Sequence, residues 1–163
     1  AVGKGTGMTD DEAYKNKINL IKKGIEINNP DPKDPVDVLA KVGGLDLAGL
    51  VGVYIGCAYY KVPVVIDGYI SSAAFFAAYR LNPLVKEYAF ESHKTVEPGY
   101  SVVVKETGVR PMFDMDMRLG EGSGCPFTFF TMDVAQSMFK NMYTFEQGMC
   151  STEYTEKLND LQF

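Results

Sequence analysis

The run Val62-Pro63-Val64-Val65-Ile66 limits the fold of this chain more than any other stretch. Short β-branched runs without polar alternation mark strands covered on both faces, which occur almost only in parallel sheets. Asp67-Gly68-Tyr69 ends the run, and Ile70-Ser71-Ser72-Ala73-Ala74 opens a helical pattern. The same order of strand, glycine-containing loop and helix is expected twice more, with strands over residues 84–90 and 112–117. A helix beginning near Pro98 and running to about Thr107 follows the first of these, and a long helix from about Phe127 follows the second. Alternation of this kind predicts an α/β fold, a parallel sheet with helices on both faces.

Upstream of the first strand, Asp10-Asp11-Glu12 opens a helix to about Asn28, with acidic residues suited to the positive end of its dipole. Ile18, Ile21 and Ile25 give it an apolar stripe. The proline-rich segment 29–35 is a connection, after which Asp34 reads as an N-cap with Pro35 in the first helical position. That short helix stops at Gly43-Gly44. Residues 45–60 are nearly all apolar and read as a buried helix, close-packed through Ala48, Gly49, Gly52 and Gly56, with Cys57 in the core. The Phe- and Met-rich stripe from Phe127 to Met142 reads as core as well. Residues 146–163 are mixed and polar, with an amphipathic run over 154–161 that is expected to pack on another element or a partner.

At 163 residues the chain is long enough for one domain with a sizeable core. A net charge of −5 and the lack of a basic stripe argue against a nucleic-acid partner, although scattered lysines suffice to hold one small anion. Cys57, Cys125 and Cys150 form no metal-spaced pair, which fits a reducing compartment. No metal or cofactor is expected. With no apolar run of about 18 residues and no signal-like layout, a cytoplasmic, non-membrane protein is expected. The chain opens on Ala1-Val2-Gly3, as if entered in mid-domain.

Ligand sites are expected at the loops following the strands, where open α/β sheets bind. In Arg118-Leu119-Gly120-Glu121-Gly122-Ser123-Gly124 a single acid stands among glycines. Held in an apolar pocket, Glu121 would have its pKa raised and serve as a general base; left in water it is a turn residue. Asp67 has two readings, a helix cap or an acceptor for a sugar hydroxyl. The loop Gly3-Lys4-Gly5-Thr6-Gly7 is a flexible turn or an anion nest with Lys4 and Lys17 as counter-charges, and it is not a Walker loop. Thr95, Val96 and Glu97 are expected at a helix N-terminus, with Lys94 and the Thr95 hydroxyl available to a phosphate. His93, the single histidine, reads as a structural hydrogen-bonder.

VGKGTG, DPVDVLAKVGGLDLAGLVG, VPVVIDGYISSAAF, ESHKTVEPGY and above all RLGEGSG, in this order and spacing, resemble the C-terminal half of the nicotinate-nucleotide:dimethylbenzimidazole phosphoribosyltransferases. The resemblance runs from Val2 to about Ser151. It implies a partial Rossmann-like α/β domain over residues 1–150, with 151–163 as a tail. It implies a homodimeric enzyme that moves phosphoribose from nicotinate mononucleotide to a benzimidazole nitrogen during assembly of the cobalamin lower ligand.

The resemblance also implies roles. Glu121 matches the base that takes the benzimidazole proton, and Leu119, between Arg118 and Gly120, matches a residue lining the base pocket. Gly120 and Gly122 flank the base. Lys17 matches a lysine near the nucleotide phosphate, beside the Gly3 and Gly5 loop. Thr95 stands where many members have serine in H-R-S-x-E-P-G, and Asp67 of D-G-[FY]-I-S lies on the ribose side. Cys125-Pro126 replaces the small residues usual after the glutamate loop. The family's N-terminal half, with its own G-E-M-G-I-G-N phosphate loop, has no counterpart here, so a complementary half or second chain is expected. Two other functions remain open: a paralogous transferase for other bases such as adenine or phenolics, and a non-catalytic nucleotide-binding subunit.

Overall fold

The computed structural model describes residues 2–5 and 9–149 and divides into two compact units, 1–128 and 129–163. The expected tail, residues 151–163, lies outside the described residues. Three helices precede the sheet: α1 (Asp11–Asn28), α2 (Pro35–Val42) and α3 (Leu45–Tyr60). Both expected caps are in place. The Asp10 carboxylate accepts from the Glu12 and Ala13 amides, and Asp34 accepts from Val36 and Asp37 with Pro35 opening α2.

Strand β1 (Val64–Ile66) leads through Asp67-Gly68 into α4 (Tyr69–Leu81), and β2 (Ala89–Glu91) pairs with β1 in parallel. The register sets Val64 against Ala89, Val65 against Phe90 and Ile66 against Glu91. Helix α5 (Tyr100–Thr107) follows, and α6 (Cys125–Asn141) is the last helix among the described residues. The architecture is α/β with a small parallel sheet, and helix α4 supplies the centre of the core. Ala74, Phe75 and Ala78 of α4 are fully buried with Ile66, Val85, Val103, Tyr54 and Val51 around them. The small residues of α4 let α3 approach closely enough for Tyr54 to meet Phe75 edge-on, with ring centroids 5.6 Å apart.

Four expectations change. Residues 84–90 read as a strand in the sequence, but Pro83–Tyr88 form a 3₁₀ turn and only Ala89–Glu91 are extended. Asn82 starts that turn by accepting from the Leu84 amide at 3.1 Å, ahead of a proline already set for helical φ. The third strand, 112–117, reduces to a single parallel bridge between His93 and Phe113. Pro111 has no amide to offer a ladder, and Asp116, at φ +52°, turns the chain out of the extended region. The apolar helix α3 buries only Val51 and Tyr54, while Leu45, Tyr59 and Tyr60 are 94%, 78% and 75% exposed. Its other face has no cover among the described residues. In the second unit the aromatic stripe of α6 is likewise exposed at Phe130 and Phe139 rather than core.

Candidate active site

The nine site residues read from the sequence come from five separate stretches, and all nine line one cavity of about 870 Å³. Gly3 and Gly5 contribute from the N-terminal loop, Lys17 from α1, Asp67 from the end of β1 and Thr95 from the segment after β2. Leu119, Gly120, Glu121 and Gly122 form the remaining wall. Ile21 and Ile25, expected as a core stripe, border this cavity and stay partly exposed. With Leu50 and Leu119 they give it an apolar side.

Lys17 donates to the Gly3 carbonyl at 2.9 Å and the Lys4 carbonyl at 3.4 Å, which ties α1 to the N-terminal loop. The Tyr14 hydroxyl donates to the Val2 carbonyl at 2.7 Å and strengthens that tie. Among the described residues no carboxylate pairs with Lys17, so its charge remains available to an anion. Lys4 differs from expectation: it pairs with Asp11 at 2.6 Å on the surface and is not a second counter-charge for the cavity.

The glutamate loop is held in an unusual backbone conformation. Gly120, Glu121 and Gly122 have φ of +74°, +57° and +74°. Glycine adopts this region freely, whereas at Glu121 it costs about 1–2 kcal/mol. Two turns close the loop, Ser123 N–H to the Gly120 carbonyl at 2.9 Å and Cys125 N–H to the Gly122 carbonyl at 3.1 Å. Asp67 supplies the long-range contact. Its carboxylate accepts from the Gly122 amide at 3.0 Å and the Gly124 amide at 2.9 Å, next to the start of α6. Of its two readings, capping the following helix α4 is not observed, since Gly68 stands at that N-cap without a side-chain bond. The carboxylate sits instead where the dipole of α6 favours negative charge.

Glu121 has two readings in the sequence, a base in an apolar pocket or a turn residue in water. It lines the cavity and is exposed. Thr95 is buried and its hydroxyl accepts from the Glu97 amide at 3.4 Å. Because α5 opens only at Tyr100, Thr95 lies in irregular backbone ahead of the helix and not in its first turn. His93 is buried and lines the cavity, its Nδ1 2.9 Å from Ser92 Oγ and 3.9 Å from Asp67 Oδ1. Ser92 Oγ also approaches the Asp67 carbonyl at 3.3 Å. The hydroxyl has one proton, so Ser92 donates to the Asp67 carbonyl or to Nδ1 and not to both.

Glu91, the first residue of ESHKTVEPGY, has no role in the sequence reading; it is 2% exposed at the end of β2. Burial pushes its carboxyl up to about 8; Ser72 and Tyr100 draw it down, and the negative charge of Asp67 adds to the rise. The Ser72 hydroxyl faces two acceptors there. Ser72 Oγ lies 2.9 Å from the Gly68 carbonyl and 3.2 Å from Glu91 Oε1. Cys125, beside the loop, has its thiol raised by burial and by Asp67, which disfavours a thiolate there. Among the described residues no group of three or more His, Cys, Asp or Glu is placed to hold a metal ion, and no helix is long and apolar enough to cross a membrane.

A cavity with an uncompensated cation at one glycine loop and a carboxylate at another is suited to a phosphorylated substrate and a proton transfer. The family pattern described as phosphoribosyltransferase matches residues 1–149, and the chain belongs to that family. Relatives of this chain carry the name nicotinate-nucleotide–dimethylbenzimidazole phosphoribosyltransferase. The protein of that name from Clostridium perfringens is 46% identical over 159 residues, which cover 98% of this chain and 44% of the relative. One from Acetivibrio thermocellus is 46% identical over 153 residues, 94% of this chain and 43% of that protein. The crystal structure of CobT from Thermus thermophilus superposes with a TM-score of 0.81 at 29% identity, over 92% of this chain and 44% of its own. The chain thus spans less than half the length of these relatives, and the resemblance read from RLGEGSG and its companion motifs holds.

Proposed function

We propose that this chain carries part of the active site for transfer of the 5-phosphoribosyl group from nicotinate mononucleotide to 5,6-dimethylbenzimidazole. The products are α-ribazole 5′-phosphate and nicotinate, and the reaction belongs to nucleotide-loop assembly in cobalamin synthesis. A benzimidazole nitrogen lone pair attacks C1′ of the ribose. The glycosidic bond breaks with its pair moving to the pyridinium nitrogen, which leaves neutral. The remaining benzimidazole N–H proton passes to Glu121. Because the leaving nitrogen needs no proton, one base suffices and no acid partner is required.

The observation that carries this reading is the convergence of Lys17, Thr95 and Glu121 on one cavity. Lys17 with the Gly3 and Gly5 loop takes the phosphate, Thr95 adds a hydroxyl, and Leu119 with Ile21, Ile25 and Leu50 receives the flat base. The exposure of Glu121 and the uncovered face of α3 support a complementary stretch of polypeptide that closes the site. A homodimeric assembly working in the cytoplasm completes the proposal.

Release of nicotinate from nicotinate mononucleotide plus dimethylbenzimidazole, measured on the protein with its complement, tests the base. Glu121→Gln is expected to lower turnover on the order of 10²–10⁴-fold. Unchanged release in that variant would falsify the assignment, and binding of the mononucleotide without any release would favour a non-catalytic subunit. Comparable release with adenine or a phenol in place of dimethylbenzimidazole would point to a paralogous transferase.

A further inference from the structure

We infer that Asp67 is a positioning residue that holds the Glu121 loop in its reactive geometry and does not itself contact the ribose. The functional part of this inference rests on Glu121 being the base; the structural part does not.

The geometry points one way. The two carboxylate oxygens of Asp67 divide between two amides, Oδ2 with Gly122 and Oδ1 with Gly124. These amides lie one and three residues after Glu121 and 55 and 57 residues from Asp67 in sequence. Gly120, Glu121 and Gly122 all have positive φ, and the two donating amides bracket the end of that stretch. Asp67 is fixed in turn, its own amide donating to Ser71 Oγ at 3.1 Å and its carbonyl approached by Ser92 Oγ. Its side chain is 15% exposed, and the bond to the buried Gly124 is the better shielded of the two, the one to Gly122 lying at the surface. The far side of the loop is also packed: a Cβ on Gly124 would collide with His93 Nδ1 and lie 2.6 Å from Ser92 Oγ. Gly124 is therefore pressed between His93 and the clamp, and the loop has one seat.

A carboxylate is the group this seat requires. Two N–H donors need two acceptors, and an asparagine offers one oxygen and turns its NH₂ toward the other amide. In Asp67→Asn one amide loses its partner and meets a donor. Glu121 then samples positions away from the benzimidazole nitrogen, and displacement of about 1 Å lowers rate by on the order of 10².

Amide hydrogen exchange followed by NMR reads the clamp without catalysis. In the wild-type protein the Gly122 and Gly124 amides are expected to exchange at least about tenfold more slowly than free peptide, and in Asp67→Asn that protection is lost. Glu121→Gln retains it, which separates this test from the test of the base. In steady state, Asp67→Asn is expected to lower kcat by about 10- to 100-fold and leave KM for nicotinate mononucleotide within about twofold. Should Asp67→Asn not fold, Gly124→Ala displaces the loop from the other side with Asp67 intact, and the same loss of kcat is expected. Wild-type amides exchanging at free-peptide rates would overturn the clamp, as would full protection in Asp67→Asn. So would a loss confined to KM, which is the mark of a ribose ligand.

Discussion

Glu91→Gln separates the electrostatics of the sheet from everything around it. Glu91 is buried at the end of β2, and its carboxyl is raised from 4.5 to about 8. A raised acid favours folding while it is protonated in both states. Its contribution is therefore complete below about pH 4.5, declines as the unfolded chain ionises, and is lost once pH passes about 8. At 1.36 kcal/mol per pH unit, the interval from 4.5 to 8 corresponds to about 5 kcal/mol, and the interval from pH 5 to pH 7 to about 3 kcal/mol. Glutamine keeps the shape and the contact with Ser72 and cannot ionise, so the variant lacks this slope. Urea unfolding of both proteins at pH 5, 6, 7 and 8 cancels every other titrating group in the difference. The variant is expected to gain on the wild type by about 2–3 kcal/mol between pH 5 and 7, with the gain levelling near pH 8. Parallel stability curves across that range would show that Glu91 ionises freely in the folded state and refute the reasoning.

Two further outcomes follow from the site and the surface. Lys17→Ala removes the cation beside the Gly3 and Gly5 loop, so KM for nicotinate mononucleotide should rise about tenfold or more, with Lys17→Arg intermediate, in the nicotinate-release assay. The isolated 163-residue chain should elute as oligomer or aggregate and bind ANS, because Leu45, Tyr59 and Tyr60 leave one face of α3 uncovered. Elution as a stable monomer without ANS binding would contradict the need for a complement.

What can be read in the sequence divides along physical lines. Asp10, Asp34 and Pro35 act within one helical turn, so local chemistry predicts them and both caps are observed. The β1-Asp67-Gly68-α4 unit is legible because a β-branched run and a glycine break sit side by side. Residues 84–90 and 112–117 mislead because a short apolar run does not separate strand from turn; Asn82 with Pro83, and Pro111 with Asp116, decide each case. The burial of α3 misleads because uniform apolarity predicts cover without saying what provides it. Within the site, the motifs select the residues that share the cavity, yet the partner of Asp67 lies more than fifty residues away. The pairing of Glu91 with Ser72 spans nineteen residues. No single-sequence pattern reaches such contacts.

The way charges are satisfied separates scaffold from chemistry in this cavity. Asp67 commits its carboxylate to two backbone amides and Lys17 is tethered by two backbone carbonyls, so neither is neutralised by an opposite side chain. Glu91 avoids charge through burial. Glu121 has no ion pair among the described residues, although the turns and Asp67 hold the backbone around it. A direct salt bridge between Lys17 and Glu121 would stabilise the empty protein and would have to be broken before either could meet substrate. Backbone groups hold the Lys17 ammonium and the main chain around Glu121 without spending either charge on an opposite side chain, which is what the proposed phosphate and proton roles need from a preorganised site.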